Sequence, residues 1–133
     1  MLRKQITDNQ VLEEAIGLLK ALADPNRLRI LDVLMQGDSC NCELNDLLGL
    51  KPNLLSHHLR VLRKTGLINS RRDAIDGRWI YYAVDKEVII RWQSWFTELL
   101  NPARIQDRPA LCGPEGLQQP VDPSFMVLEG TTK

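Results

Sequence analysis

The sequence predicts a mainly α domain with a single β-hairpin, on three observations. The stretch PNLLSHHLRVLRKT, residues 52–65, has apolar and polar residues on opposite sides at helical spacing. Two short β-rich runs follow it, joined by a turn that contains Asp76-Gly77. Three further helical patterns precede it and one follows the hairpin, giving the order α-α-α-α-β-β-α.

Taken in order, residues 9–23 form the first expected helix, with Leu12, Ala15, Ile16, Leu19 and Leu22 along one side. Asp24 and Pro25 start the second, as N-cap and first helical residue. Its expected core side is Leu28, Leu31, Leu34 and Met35. Gly37 and Asp38 break the chain, residues 43–48 form a short third helix, and Gly49 ends it. In residues 52–65, Leu55, Leu59 and Leu62 form the buried stripe. Asn53, Ser56, His57, Arg60 and Lys64 form the opposite face. The expected strands are residues 67–72 and 78–84, where Trp79, Tyr81 and Tyr82 suit a half-buried ribbon. Residues 86–100 form a last helix whose Val88, Ile89, Trp92, Trp95, Phe96, Leu99 and Leu100 cover more than one face. A helix pair followed by a basic two-stranded ribbon is a winged helix-turn-helix.

Charge points to the partner. The chain carries 17 basic and 17 acidic residues, so it has no general affinity for polyanions. Yet residues 51–72 hold Lys51, Arg60, Arg63, Lys64, Arg71 and Arg72 and no acid. A segregated basic stripe is the footprint of phosphate contacts. Amide, hydroxyl, imidazole and guanidinium groups on the polar face bond base edges or phosphates. The expected DNA contacts are therefore Asn53, Ser56, His57, Arg60 and Lys64 in the major groove, with Arg72 and Arg78 on the wing. An enzyme is disfavoured, because no Ser/His/Asp set, glycine-rich phosphate loop or paired carboxylates stand out. A winged helix that binds protein instead of DNA is a further alternative.

The chain length suits one small domain, residues 1–100, followed by a proline-rich tail, residues 101–133. Pro102, Pro109, Pro114, Pro120 and Pro123 exclude a long helix from the tail, and Phe125 to Leu128 mark a possible docking point within it. No apolar run is long enough to span a membrane, and residues 1–10 lack the core of a signal peptide, so a cytoplasmic location is expected.

The three cysteines are Cys40, Cys42 and Cys112. In that compartment such thiols act as ligands or sensors more often than as disulfides. Positions i and i+2 share a side in extended chain but not in a helix, so one ion gripped by Cys40 and Cys42 requires an opened or distorted helix start.

SHHLRVLRKTGLI, the following RR, GRWIYYAV and the upstream ALADPNRLRILDVL together resemble the ArsR/SmtB family of metal-responsive bacterial repressors over residues 10–100. The resemblance implies a homodimer paired through the first and last helices, bound to double-stranded operator DNA. Two-fold symmetry then asks for an inverted repeat with half-sites about 34–36 Å apart. Arsenic sensors of the family carry a C-x-C-[DE]-L motif, present here as Cys40-Asn41-Cys42-Glu43-Leu44. Where some relatives have a third cysteine this chain has Asn45, so a third thiolate must come from Cys112, of the same or the partner subunit. The zinc site of other relatives, built from histidines and carboxylates of the last helices, is absent, since His57 and His58 both lie on the reading helix. Three thiolates favour As(III) or Sb(III), with Cd(II) or Pb(II) as alternatives. A thiol-redox switch is a second way for the same cysteines to release DNA.

Overall fold

The computed structural model describes residues 8–107 and 110–114. The chain divides into two compact units, Met1–Leu100 and Asn101–Lys133. In the first unit the helices are α1 (Asn9–Leu22), α2 (Pro25–Met35), α3 (Asn41–Leu48), α4 (Pro52–Lys64) and α5 (Lys86–Leu99). The strands are β1 (Ser39–Cys40), β2 (Ile68–Arg72) and β3 (Ile80–Val84). Aspartates start three helices: Asp8 accepts from the Gln10 amide, Asp24 from Asn26 and Arg27, and Asp85 from Glu87 and Val88. Gly49 ends α3 at φ 64°, and Gly66 turns the chain from α4 into β2 at φ 81°, both in the left-handed region that favours glycine.

The core gathers Ile30, Leu34, Leu44, Leu55 and Leu62, each at most 2% exposed, with Leu59, Leu67, Ile68, Tyr82 and Trp92 around them. Burying each such side chain contributes about 1.5–3 kcal/mol. α4 thus draws three leucines into one centre shared with α2, α3 and the sheet, which sets the orientation of its outer face.

The winged helix-turn-helix is as expected, with three differences. The sheet has a third strand, in the order β1-β3-β2, because Ser39 and Cys40 pair antiparallel with Tyr82 and Tyr81. The hairpin strands start later than expected, at Ile68 and Ile80, since Leu67 lies in the turn out of α4 and residues 73–79 form a loop closed by Asp73. Its Oδ2 accepts from the amides of Ile75 and Asp76.

The third difference is the buried side of α1 and α2. α1 buries Ala15, Leu18 and Ala21, while Ile16 and Leu19, expected inside, are 50% and 48% exposed. α2 buries Ile30 and Leu34, while Leu28 and Met35 are exposed. Trp92, expected among the residues in excess of one core, is 6% exposed within the first unit. Its ring stacks edge-on against Trp95 at 5.7 Å.

In the second unit the described residues hold one turn of 3-10 helix, Pro102–Arg104, capped by Asn101, and then irregular chain that includes Cys112. Pro109, Pro120, Pro123 and Phe125 to Leu128 lie outside the described residues. Among the described residues no helix is long and apolar enough to cross a membrane.

Candidate nucleic-acid interface and thiol pair

Helix α4 separates its two faces cleanly. Leu55, Leu59 and Leu62 are at most 2% exposed, while Asn53, Ser56, His57, Arg60 and Lys64 are all exposed. Pro52 begins the helix, no side chain caps its first turn, and no acid lies there. Arg63 is exposed too, one turn from Arg60. The sequence placed Arg63 in the basic stripe but not among the contacts, although it follows Arg60 by three and Ser56 by seven.

The wing presents its cations in different states. Arg78 forks onto Asp76, Nη2 to Oδ2 at 2.8 Å and Nε to Oδ1 at 3.0 Å. The same bond holds the Asp76 carboxyl below its ordinary range and the Arg78 guanidinium above its own. Arg72 donates from Nη1 to the Gly77 carbonyl at 2.7 Å, which braces the loop without neutralising the charge. Arg71 lies over the Tyr81 ring at 4.5 Å. Of the two expected wing contacts, Arg72 has no ion pair among the described residues and Arg78 has one. The loop also carries Ile75, 97% exposed, and, at its end, Trp79, 42% exposed.

One α4 residue turns inward. His58 is 4% exposed and lies against the start of α2. Its Nδ1 is 3.1 Å from Arg27 Nη1, and its Nε2 is 4.0 Å from Asp24 Oδ1. An arginine can only donate, so Nδ1 accepts and the imidazole is neutral. Burial pushes the His58 pKa down, Arg27 and His57 push it further, and Asp24 opposes them; the net shift is downward. Burial raises the Asp24 pKa, but the Arg27 and Asn26 amides, with the Arg27 charge, outweigh it, and the carboxyl lies below its ordinary value. Arg27 also donates from Nε to the Ala21 carbonyl, tying the end of α1 to the same cluster. His58 sits three residues after Leu55 and four before Leu62, so its inward position was readable from spacing.

The two near thiols straddle a change of backbone. Cys40 is extended, at φ −80° and ψ 162°, it pairs with Tyr81 of β3, and it is the N-cap of α3. Its Sγ accepts from the Glu43 amide at 3.4 Å, which caps the helix, and donates to Glu43 Oε1, also at 3.4 Å. Cys40 is buried, whereas Cys42, in the first turn of α3, is exposed. Cys112 belongs to the second unit and is exposed. Among the described residues no three His, Cys, Asp or Glu side chains are gathered into a metal site. On α3, Asn41 and Asn45 each bury a side-chain oxygen that has no hydrogen-bond partner among the described residues.

Comparison with known proteins agrees with this architecture. The family model described as "Bacterial regulatory protein, arsR family" matches residues 24–70. An uncharacterised HTH-type transcriptional regulator of Methanocaldococcus jannaschii is 40% identical over 78 residues, 57% of this chain and 84% of that protein. The arsenic resistance transcriptional regulator ArsR1 of Pseudomonas putida is 39% identical over 72 residues, 53% of this chain and 54% of that one. The cadmium resistance transcriptional regulatory protein CadC of Listeria innocua is 35% identical over 69 residues, 51% of this chain and 56% of that one. Among solved structures, the homodimeric winged helix-turn-helix DNA-binding domain Mb0332 of Mycobacterium bovis superposes with a TM-score of 0.54 at 25% identity, covering 75% of this chain and 96% of that one.

Proposed function

The chain belongs to the arsR family of bacterial regulatory proteins, DNA-binding transcription regulators and not enzymes, and from that premise we propose that it is a repressor released from its operator by a thiophilic ion. It acts as a homodimer on an inverted repeat, a reading supported by the homodimeric M. bovis domain and by the apolar residues that α1 and α5 leave exposed, Ile16, Leu19 and Ile90. Residues 1–100 read DNA and dimerise, and residues 101–133 supply the tail that carries Cys112. Asn53, Ser56, His57, Arg60 and Lys64 face the major groove, with Arg72 and, behind its Asp76 partner, Arg78 at the flank.

Two sulfurs at one helix start fit a soft ion and suit a hard one poorly. Cys40 and Cys42 hold it, and Cys112 completes a three-thiolate set for As(III) or Sb(III). Similarity to a cadmium regulator as well as an arsenic one keeps Cd(II) and Pb(II) as alternatives. The observation that carries the reading is that Cys40 caps α3 through its sulfur and is bonded through its backbone to the wing strand. Bringing Cys40 and Cys42 onto one ion opens the start of α3, where i and i+2 diverge, and so draws the Cys40 sulfur off the Glu43 amide. Loss of an N-cap costs about 0.5–2 kcal/mol. That matches the roughly 1–3 kcal/mol by which effectors commonly change affinity elsewhere. Helix α3 and β3, the two elements that Cys40 joins, both pack against the core that holds α4.

The test is fluorescence anisotropy of a labelled operator, recovered by selection from a random pool, titrated with As(III), Sb(III), Cd(II) and Pb(II) under fully reducing conditions. Cys40→Ser and Cys42→Ser keep DNA binding and lose release, because a protonated hydroxyl is a poor ligand for a soft ion. Cys112→Ser weakens the response to inorganic As(III) and spares a monosubstituted arsenical, which needs two thiolates. Release of a Cys40/Cys42 double variant by arsenite overturns the ligand assignment. If reduced wild-type protein ignores every ion but lets go of DNA on mild oxidation, the thiols are a redox switch instead.

A further inference from the structure

We infer that the cavity between α1, the end of α4 and α5 is a binding site for a small amphipathic anion, an aromatic or short acyl carboxylate. Its volume is about 570 Å³, within the range of small-molecule sites. Leu18, Ala21, Val61 and Trp92 give it an apolar wall. Lys20, Lys64, Arg91 and Glu14 give it charge, three cations against one carboxylate. That carboxylate is already engaged, since Arg91 Nη2 bonds Glu14 Oε2 at 2.6 Å. Among the described residues neither Lys20 nor Lys64 has an ion pair. The surplus is thus two ammonium groups at the edge of an apolar hollow, which suits a carboxylate on an apolar body.

A second observation is independent of charge. Gly17 lies in the interior of α1 and lines the same cavity. Its φ is not positive, and a Cβ built on it meets nothing within 4 Å. Neither backbone strain nor crowding by the chain itself requires a glycine there, although glycine is the poorest helix former after proline. What glycine preserves is open space. Lys64 also faces the proposed DNA side of α4, so this cavity and the operator draw on one ammonium group. The site is separate from the thiol pair.

The experiment is isothermal titration calorimetry of the full chain with 1-naphthaleneacetate and with its uncharged amide. We expect the acetate to bind about tenfold more tightly than the amide, the effect of one charge-assisted contact. Gly17→Leu fills the cavity with a better helix former, so the variant folds and binding of both compounds is lost. Lys20→Gln with Lys64→Gln brings the acetate down to the amide. A Cys40→Ser/Cys42→Ser double variant binds both normally, which separates this result from the fate of the thiol reading. No binding of the acetate by wild type, equal affinity for acetate and amide, or unchanged binding by Gly17→Leu overturns the inference. So does a Gly17→Leu variant that differs from wild type only in its sedimentation, which assigns the hollow to a contact between copies.

Discussion

Replacing His58 with leucine tests whether the buried imidazole ties α4 to the start of α2. In the folded chain the neutral ring accepts from Arg27 and faces Asp24, with His57 as the next titratable neighbour. Protonation sets a second cation 3.1 Å from the Arg27 guanidinium in a site that is 4% exposed. The folded pKa is lowered from 6.5, chiefly by burial. The unfolded chain therefore takes up a proton near pH 6.5 that the folded chain refuses. Stability from this group is whole above pH 6.5 and is lost as pH falls from there through the lowered value. One proton sets the ceiling, about 1.4 kcal/mol per pH unit. At neutral pH the variant loses the Arg27 hydrogen bond, about 1.5–3 kcal/mol for a bond to a charged group, partly offset by the apolar area of leucine. The assay is urea unfolding at fixed protein concentration from pH 7.5 to 5, on wild type, His58→Leu and a His57→Gln control. Wild type should show the steeper loss below pH 6.5, His57→Gln should keep most of it, and His58→Leu should be flatter by up to that ceiling. Parallel curves for wild type and His58→Leu refute the argument.

Two other outcomes follow from the surfaces. Arg60→Ala should weaken operator binding by about 1–3 kcal/mol, and a salt titration should show a slope smaller by about one if the lost contact is to phosphate; unchanged affinity in the folded variant moves the reading surface elsewhere. Ile16→Glu with Leu19→Glu should leave the circular dichroism of the subunit intact, because both side chains are about half exposed, yet give monomers by sedimentation and poor operator binding; a persistent dimer places the interface off this face of α1.

What could be read without coordinates was whatever repeats with a clear period. The α4 stripe was legible because Leu55, Leu59 and Leu62 stand against an unbroken polar face. The hairpin was legible because Asp76-Gly77 sits between β-rich runs. In α1 the apolar residues run almost all round: Leu12, Ala15, Ile16, Leu18, Leu19, Ala21 and Leu22. Periodicity could not choose between the side that packs on the subunit and the side that does not, so the expected side includes Ala15 but misses Leu18 and Ala21, which are also buried. Strand β1 is two residues long, too short for any alternation to register. The C-x-C spacing marked the thiols, but the change from extended to helical backbone between them comes from pairing with β3, far along the chain. His58 carries the same lesson from the other side. Its burial follows from spacing, while its partners Asp24 and Arg27 were visible only as a helix start.

The pairing of β1 with β3 bears on modularity. Ser39 and Cys40 find their strand partners in Tyr82 and Tyr81, so the ladder encloses α3 and α4 within one loop of chain. The helix-turn-helix is therefore not a detachable cassette. A fragment ending after α4 leaves β1 without its neighbour and removes Leu67, Ile68 and Tyr82 from the common core. The loop-closure entropy of joining β1 to β3 is recovered only when the whole segment is in place, so reader, thiol-bearing strand and wing form and melt as one cooperative unit. Transplanting the outer face of α4 onto another protein requires carrying everything from Ser39 to Val84.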